Sequence, residues 1–178
     1  TFSNKRWLTL DEIHSEEDIT DKDALGFHVP GMFDKVIDIN NCYLQKEPSN
    51  AIRLSVKQFA DENNLTYFDI RNQEGLLRNL MIKTSSTNDL MVLVQFYEDD
   101  EKNINLLMEH IKTTFPEITS LLYIINRKAN NTMYDQEVIC YNGKDHIMEE
   151  MNGLLFKIGA KSFFQTNSEQ AEILYRKT

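Results

Sequence analysis

Between Leu77 and Asn126 the chain alternates its periodicity in a way that few folds accommodate. Leu77 to Thr84 and Leu90 to Tyr97 are runs rich in apolar side chains, separated by the polar turn Ser85 to Asn88. This is the pattern of two strands joined as a hairpin. Ile104, Leu107, Met108 and Ile111 then recur at i, i+3, i+4 and i+7, which predicts a helix with one apolar face. Asp99 or Asp100 supplies its N-cap and Pro116 ends it. Leu121 to Asn126 reads as the next strand.

The flanking segments add to the same layer. Phe2, Trp7, Leu8 and Leu10 suggest an opening strand, and the acidic stretch Asp11 to Asp23 reads as a solvated loop. Leu25 to Val29 and Lys35 to Ile39 are short strands across the turn signal Pro30-Gly31. Ser49 is the expected N-cap of a helix near 50–63, with Ile52, Val56, Phe59 and Ala60 on one face. Glu137 to Tyr141 and Ile147 to Met151 read as a second hairpin around Asn142-Gly143. The connections are short and mostly hairpin-like. They predict an α+β domain over 1–158, a mainly antiparallel sheet with two amphipathic helices packed on one face.

Length and composition exclude several classes. At 178 residues the chain holds one domain with a real core, or one domain and a fragment. It lacks Met at position 1 and stops at Arg176-Lys177-Thr178 inside a predicted helix, so it is expected to be a piece of a longer protein. With no signal peptide and no apolar run near membrane-spanning length, the expected setting is cytoplasmic with no membrane partner. Two cysteines far apart give no disulfide framework. A net charge of −9 argues against a simple nucleic-acid-binding module, which usually carries a basic face.

The stretch most suggestive of chemistry is Phe156 to Tyr175. Leu154 to Ile158 suits a strand, which Gly159 breaks; Asn167 and Gln170 have capping-box spacing, and Ala171, Leu174 and Tyr175 share a helical face. Between them lies Ser162-Phe163-Phe164-Gln165, two rings and an amide that can stack a planar ligand and hydrogen-bond a polar one. The same residues suit plainer roles: Gln165 can satisfy the loop backbone, and Phe163 can anchor the strand–helix turn.

Ser-Phe-Phe-Gln-Thr-Asn followed by Ala171-Glu172-x-Leu174-Tyr175 resembles the entry to the catalytic domain of S-adenosylmethionine-dependent RNA uracil-C5 methyltransferases, which act on rRNA or tRNA. Gly26-Phe27-His28, Val36-Ile37-Asp38-Ile39-x-x-Cys42-x-Leu44-Gln45 and Leu76 to Lys83 resemble the same family, so the likeness covers nearly the whole chain. It implies that 1–158 is the central domain and 159–178 the start of a truncated Rossmann-like catalytic domain, whose first helix has lost its sheet and docks loosely or against another copy.

The resemblance also implies roles. Gln165 matches a glutamine that contacts S-adenosylmethionine, and Phe163 an aromatic beside the flipped target base. Cys42 matches the last of four cysteines that hold an iron–sulfur cluster in many members. Its three partners are absent, so Cys42 is expected to be a free thiol here, with a cluster only in the parent. The family's cysteine nucleophile and its acidic base lie beyond the matched helix, so this fragment is expected to be inactive. Neither Cys42 nor Cys140 matches the nucleophile, and Cys140 reads as core filler. Arg78 and Lys83 suit RNA phosphates or a base edge, and equally a solvated strand face. His28, His110 and His146 lack metal-site spacing.

The leading expectation is a fragment of an RNA uracil-C5 methyltransferase that binds 23S rRNA or tRNA in its full-length form. A non-catalytic RNA-binding or protein-interaction module is the alternative, and an unrelated α+β enzyme with a pocket near Phe163 a third.

Overall fold

The computed structural model describes residues 1–15 and 19–177. Among these, nine strands and four helices build a mixed α+β fold of three sheets. β1 (Phe2–Ser3), β2 (Ala24–His28) and β3 (Val36–Asp38) form an antiparallel sheet in that order. β2 and β3 match the expected pair, with Phe27 opposite Ile37. The opening strand is shorter than expected. Leu10 instead begins α1 (Leu10–Ile13), capped by Thr9 and Glu12. The acidic stretch therefore starts as a helix, and its residues 16–18 lie outside the described residues.

The central sheet has the order β4 (Leu77–Thr84), β5 (Leu90–Phe96), β6 (Ser120–Ile125), β7 (Ile139–Gly143). α2 (Ser49–Glu62) precedes it, and α3 (Glu101–Thr114) connects β5 to β6. β4–β5 and β6–β7 are antiparallel, but β5 and β6 run parallel. The reason was present in the chain: a strand, a long helix and a strand form a crossover unit, which returns the second strand alongside the first in the same direction.

Every residue of β5 is buried, and its alternation divides the core. Leu90, Val92, Val94 and Phe96 face Ile52, Val56 and Ala60 of α2 and Ile104, Leu107, Met108 and Ile111 of α3. Each of these side chains other than Ala60 stabilises the fold by roughly 2 kcal/mol. Met91 and Leu93 join Leu122 and Ile124 on the opposite face, under Ile147, Ile158 and Ala160. Helices thus cover one face, as expected, and a β-hairpin covers the other.

Two local expectations are corrected. Asp100 caps α3 by accepting from the Asn103 N–H, but Ser49 does not cap α2. Ser49 is the first helical residue, and Glu47 reaches forward to the Ala51 N–H. The second hairpin is also displaced. β7 pairs with β6, placing Gly143 opposite Ser120. β8 (His146–Met151) pairs with β9 (Leu154–Gly159) across Asn152-Gly153, whose φ values of 51° and 76° are the left-handed pair of a tight hairpin turn.

The outer edge of β8 is held by the turn between β4 and β5. Ser86 Oγ accepts from the Glu150 N–H at 3.1 Å, Asp89 accepts from the Met148 N–H at 2.8 Å, and Thr87 Oγ1 donates to the Met148 carbonyl at 2.6 Å. These side chains stand where a neighbouring strand would otherwise satisfy the ladder. They fix the hairpin, and with it the segment that follows β9.

Candidate functional site

That segment is a closed turn. The Ser162 N–H donates to the Gly159 carbonyl at 3.1 Å, and the Gly159 N–H donates to Ser162 Oγ at 3.1 Å. Lys161 Nζ donates to the Tyr134 carbonyl at 2.9 Å and to that of Gln136. Lys83 of β4 reaches across the sheet face to donate to the carbonyls of Gly159, Ala160 and Ser162 at 3.3, 3.0 and 3.0 Å.

The turn presents the two rings differently. Phe164 packs against the second core, its ring 6.1 Å from that of Phe156, whereas Phe163 is 83% exposed. Gln165 is exposed and its side chain has no partner among the described residues. Asn167 then accepts from the Gln170 N–H at 3.0 Å and starts α4 (Ser168–Tyr175). A cleft of about 440 Å³ adjoins the turn, lined in part by Val138, Cys140, Asp145, Lys161 and Ser162. Its charges are largely engaged. His146 and Lys157 hold the Asp145 carboxyl below the usual carboxylate range. Burial, and then the Asp145 charge, push the Cys140 thiol up.

An exposed ring beside an unpartnered amide can accept a planar, polar ligand. Sequence reasoning singled out both residues through the Ser-Phe-Phe-Gln stretch. It read Lys83 as an RNA contact or a solvated face, because nothing local relates a lysine on β4 to the carbonyls of a turn after β9.

The other candidates lie elsewhere. Both readings of Arg78, RNA contact and solvated face, require an exposed side chain, but Arg78 is 1% exposed. Its guanidinium donates to the carbonyls of Asn126, Lys128 and Asn130 and to Asn131 Oδ1, and stacks 4.6 Å over Phe68. Burial lowers its pKa. Cys42 is 8% exposed, and both its backbone polar groups are held by the Asn50 amide.

An iron–sulfur cluster needs four thiolates or equivalent ligands. The chain has two cysteines, Cys42 beyond β3 and Cys140 in a different sheet. Among the described residues no three His, Cys, Asp or Glu side chains are placed to hold a metal ion. The residues present therefore do not fit a cluster within this chain. No helix among them is long and apolar enough to cross a membrane.

No protein-family model matches the chain. Over 179 residues it is 53% identical to a Bacteroides thetaiotaomicron protein described as an uncharacterized RNA methyltransferase. The chain is homologous to RNA methyltransferases. A Porphyromonas gingivalis protein of the same description is 52% identical over 181 residues, and one from Chlorobaculum tepidum is 38% identical over 177. These alignments take in 99%, 99% and 97% of this chain, but it spans only 39%, 39% and 36% of the relatives' own length. Among solved structures, Pyrococcus abyssi tRNA (uracil-54, C5)-methyltransferase in complex with S-adenosyl-L-homocysteine superposes with a TM-score of 0.65 at 29% identity. The match covers 80% of this chain and 34% of that one.

Proposed function

We propose that the chain is part of an RNA uracil-C5 methyltransferase that uses S-adenosylmethionine, with residues 1–158 as its central domain and 159–178 as the entry to its catalytic domain. The observation that carries the reading is the exposed Phe163 and unpartnered Gln165 on a braced turn, in a chain homologous to RNA methyltransferases. The likeness to an enzyme crystallised with S-adenosyl-L-homocysteine supports the choice of cofactor and of uracil C5.

When bound, S-adenosylmethionine supplies an electrophilic methyl group. Gln165 would hold the cofactor, its amide N–H able to donate to a carboxylate or sugar oxygen and its carbonyl able to accept from an ammonium. Phe163 offers a face on which a flipped base stacks, keeping water from one side of it. In the full-length protein the RNA is rRNA or tRNA. The nucleophile and the base that removes the C5 proton belong to the rest of the catalytic domain, so this chain alone transfers no methyl group.

The test uses the full-length protein. Gln165→Ala is expected to weaken S-adenosylmethionine binding, measured by calorimetry, and to slow transfer of labelled methyl groups to unmodified rRNA or tRNA. Unchanged affinity would remove Gln165 from the cofactor site, and label at an atom other than uracil C5 would overturn the assigned reaction.

A further inference from the structure

We infer that Lys83 is a positioning residue that fixes the Phe163–Gln165 loop for its ligands. This rests on the assignment of that loop to cofactor and base. Lys83 sits opposite Met91 in the β4–β5 ladder, so its stem lies on the face that carries the second core. Its ammonium ends among three main-chain carbonyls of a single turn, those of Gly159, Ala160 and Ser162. An ammonium has three donors and no acceptor, so the match to three carbonyls is complete. Among the described residues no carboxylate pairs with it. Burial lowers its pKa, as expected for a cation whose partners are dipoles alone.

The arrangement explains how Phe163 stays presented. A ring that is 83% exposed gains little from its own packing, so the backbone on either side must hold it. On one side Lys83 grips the Ser162 carbonyl, and on the other Phe164 packs against Phe156. Gln165 follows directly, before the Asn167 cap fixes α4. Without the ammonium, three converging carbonyls lose their shared donor and repel one another. The turn then relaxes, and the ring and the amide lose their common frame. A site held loosely in this way binds its ligand less well even though every contacting residue remains.

The experiment compares wild type, Lys83→Met, Lys83→Arg and Gln165→Ala in the full-length protein. Lys83→Met is expected to raise the KM for S-adenosylmethionine roughly tenfold or more, to leave the KM for RNA nearly unchanged, and to speed amide exchange across residues 160–166. Lys83→Arg, which keeps the charge, should recover part of the loss, and it replaces Lys83→Met if that variant fails to fold. A lysine that only stabilises the fold would lower the active fraction and Tm without moving KM or loop exchange. An unchanged cofactor KM in Lys83→Met beside a raised one in Gln165→Ala overturns the inference and leaves the loop's assignment standing. If Gln165→Ala also leaves that KM unchanged, the assignment of the loop has failed. Exchange across 160–166 then decides whether Lys83 holds the turn: faster exchange supports it and unchanged exchange overturns it.

Discussion

Ser55 Oγ and His110 Nε2 lie 2.9 Å apart and join α2 to α3, with the His110 ring stacked on Phe59 at 4.0 Å between centroids. Burial lowers the His110 pKa, with Ser55 and Glu62 opposing it more weakly. The unfolded chain, with a histidine pKa near 6.5, therefore binds this proton more readily than the folded one. Stability from this group is fully present above the unfolded value and is lost as pH falls below it. Thermal unfolding is expected to show Tm rising as pH is raised through about 6.5, and His110→Asn should reduce that rise, the remainder coming from His28, whose pKa burial also lowers. Acid loss from Asp69, whose carboxyl burial pushes up but Lys5 and two backbone N–H groups together hold far below the usual range, falls at lower pH and should survive the substitution.

Two glycines with similar backbone angles should respond differently to the same substitution. Gly143 and Gly153 have φ of 80° and 76°, so alanine is strained at either. At Gly153 nothing lies within 4 Å of an added Cβ, whereas at Gly143 the Cβ would stand 2.2 Å from the Thr119 carbonyl oxygen. Gly153→Ala should cost about 1 kcal/mol. Gly143→Ala should cost clearly more, because β7 must withdraw from β6. Urea unfolding of the two variants checks the order.

These two positions also show what could be read from the chain. Asn-Gly occurs at 142–143 and again at 152–153, and both are local hairpin signals. Which one closes a hairpin depends on the partner strand, and β7 finds β6 rather than β8. α3 was legible because Asp100, its four apolar positions and Pro116 are all local. The expected mainly antiparallel pairing holds for β4–β5 and β6–β7, and the parallel β5–β6 pair follows from the helix between those two strands. In the candidate site, Phe163 and Gln165 stood out by type and order. The burial of Arg78 and the reach of Lys83 arise from segments far apart in the chain and leave no local pattern.

The two thiols should separate by accessibility. Cys140 is exposed and Cys42 is 8% exposed. In the native chain an alkylating reagent is expected to modify Cys140 alone, with Cys42 reacting only on unfolding. Because partial desolvation of the sulfur and then the Asp145 charge raise the Cys140 pKa, its thiolate is scarce at neutral pH. Labelling should be slower than for a free cysteine and should accelerate into the alkaline range. Peptide mapping by mass spectrometry reads this directly, and native modification of Cys42 first would show that its segment opens.

Arg78 is the residue for which the structure changes the expected phenotype most. As an RNA contact, its loss would weaken binding and reduce the salt dependence of affinity by about one unit of slope. In the fold, its guanidinium instead ties β4 to the 126–131 loop through three carbonyls and the Asn131 amide oxygen. Removing it leaves those acceptors without their charged donor, and hydrogen bonds to a charged group contribute about 1.5–3 kcal/mol each. Arg78→Met is therefore expected to cost about 3 kcal/mol or more of stability. Arg78→Lys should not restore it, because an ammonium lacks the planar fork that spans the loop and stacks on Phe68. In the full-length protein, the slope of RNA affinity against salt should be the same for Arg78→Met as for wild type at a temperature where both are folded. A smaller slope with an unchanged Tm would return Arg78 to the RNA surface, and would mean that the loop opens to release it when RNA binds.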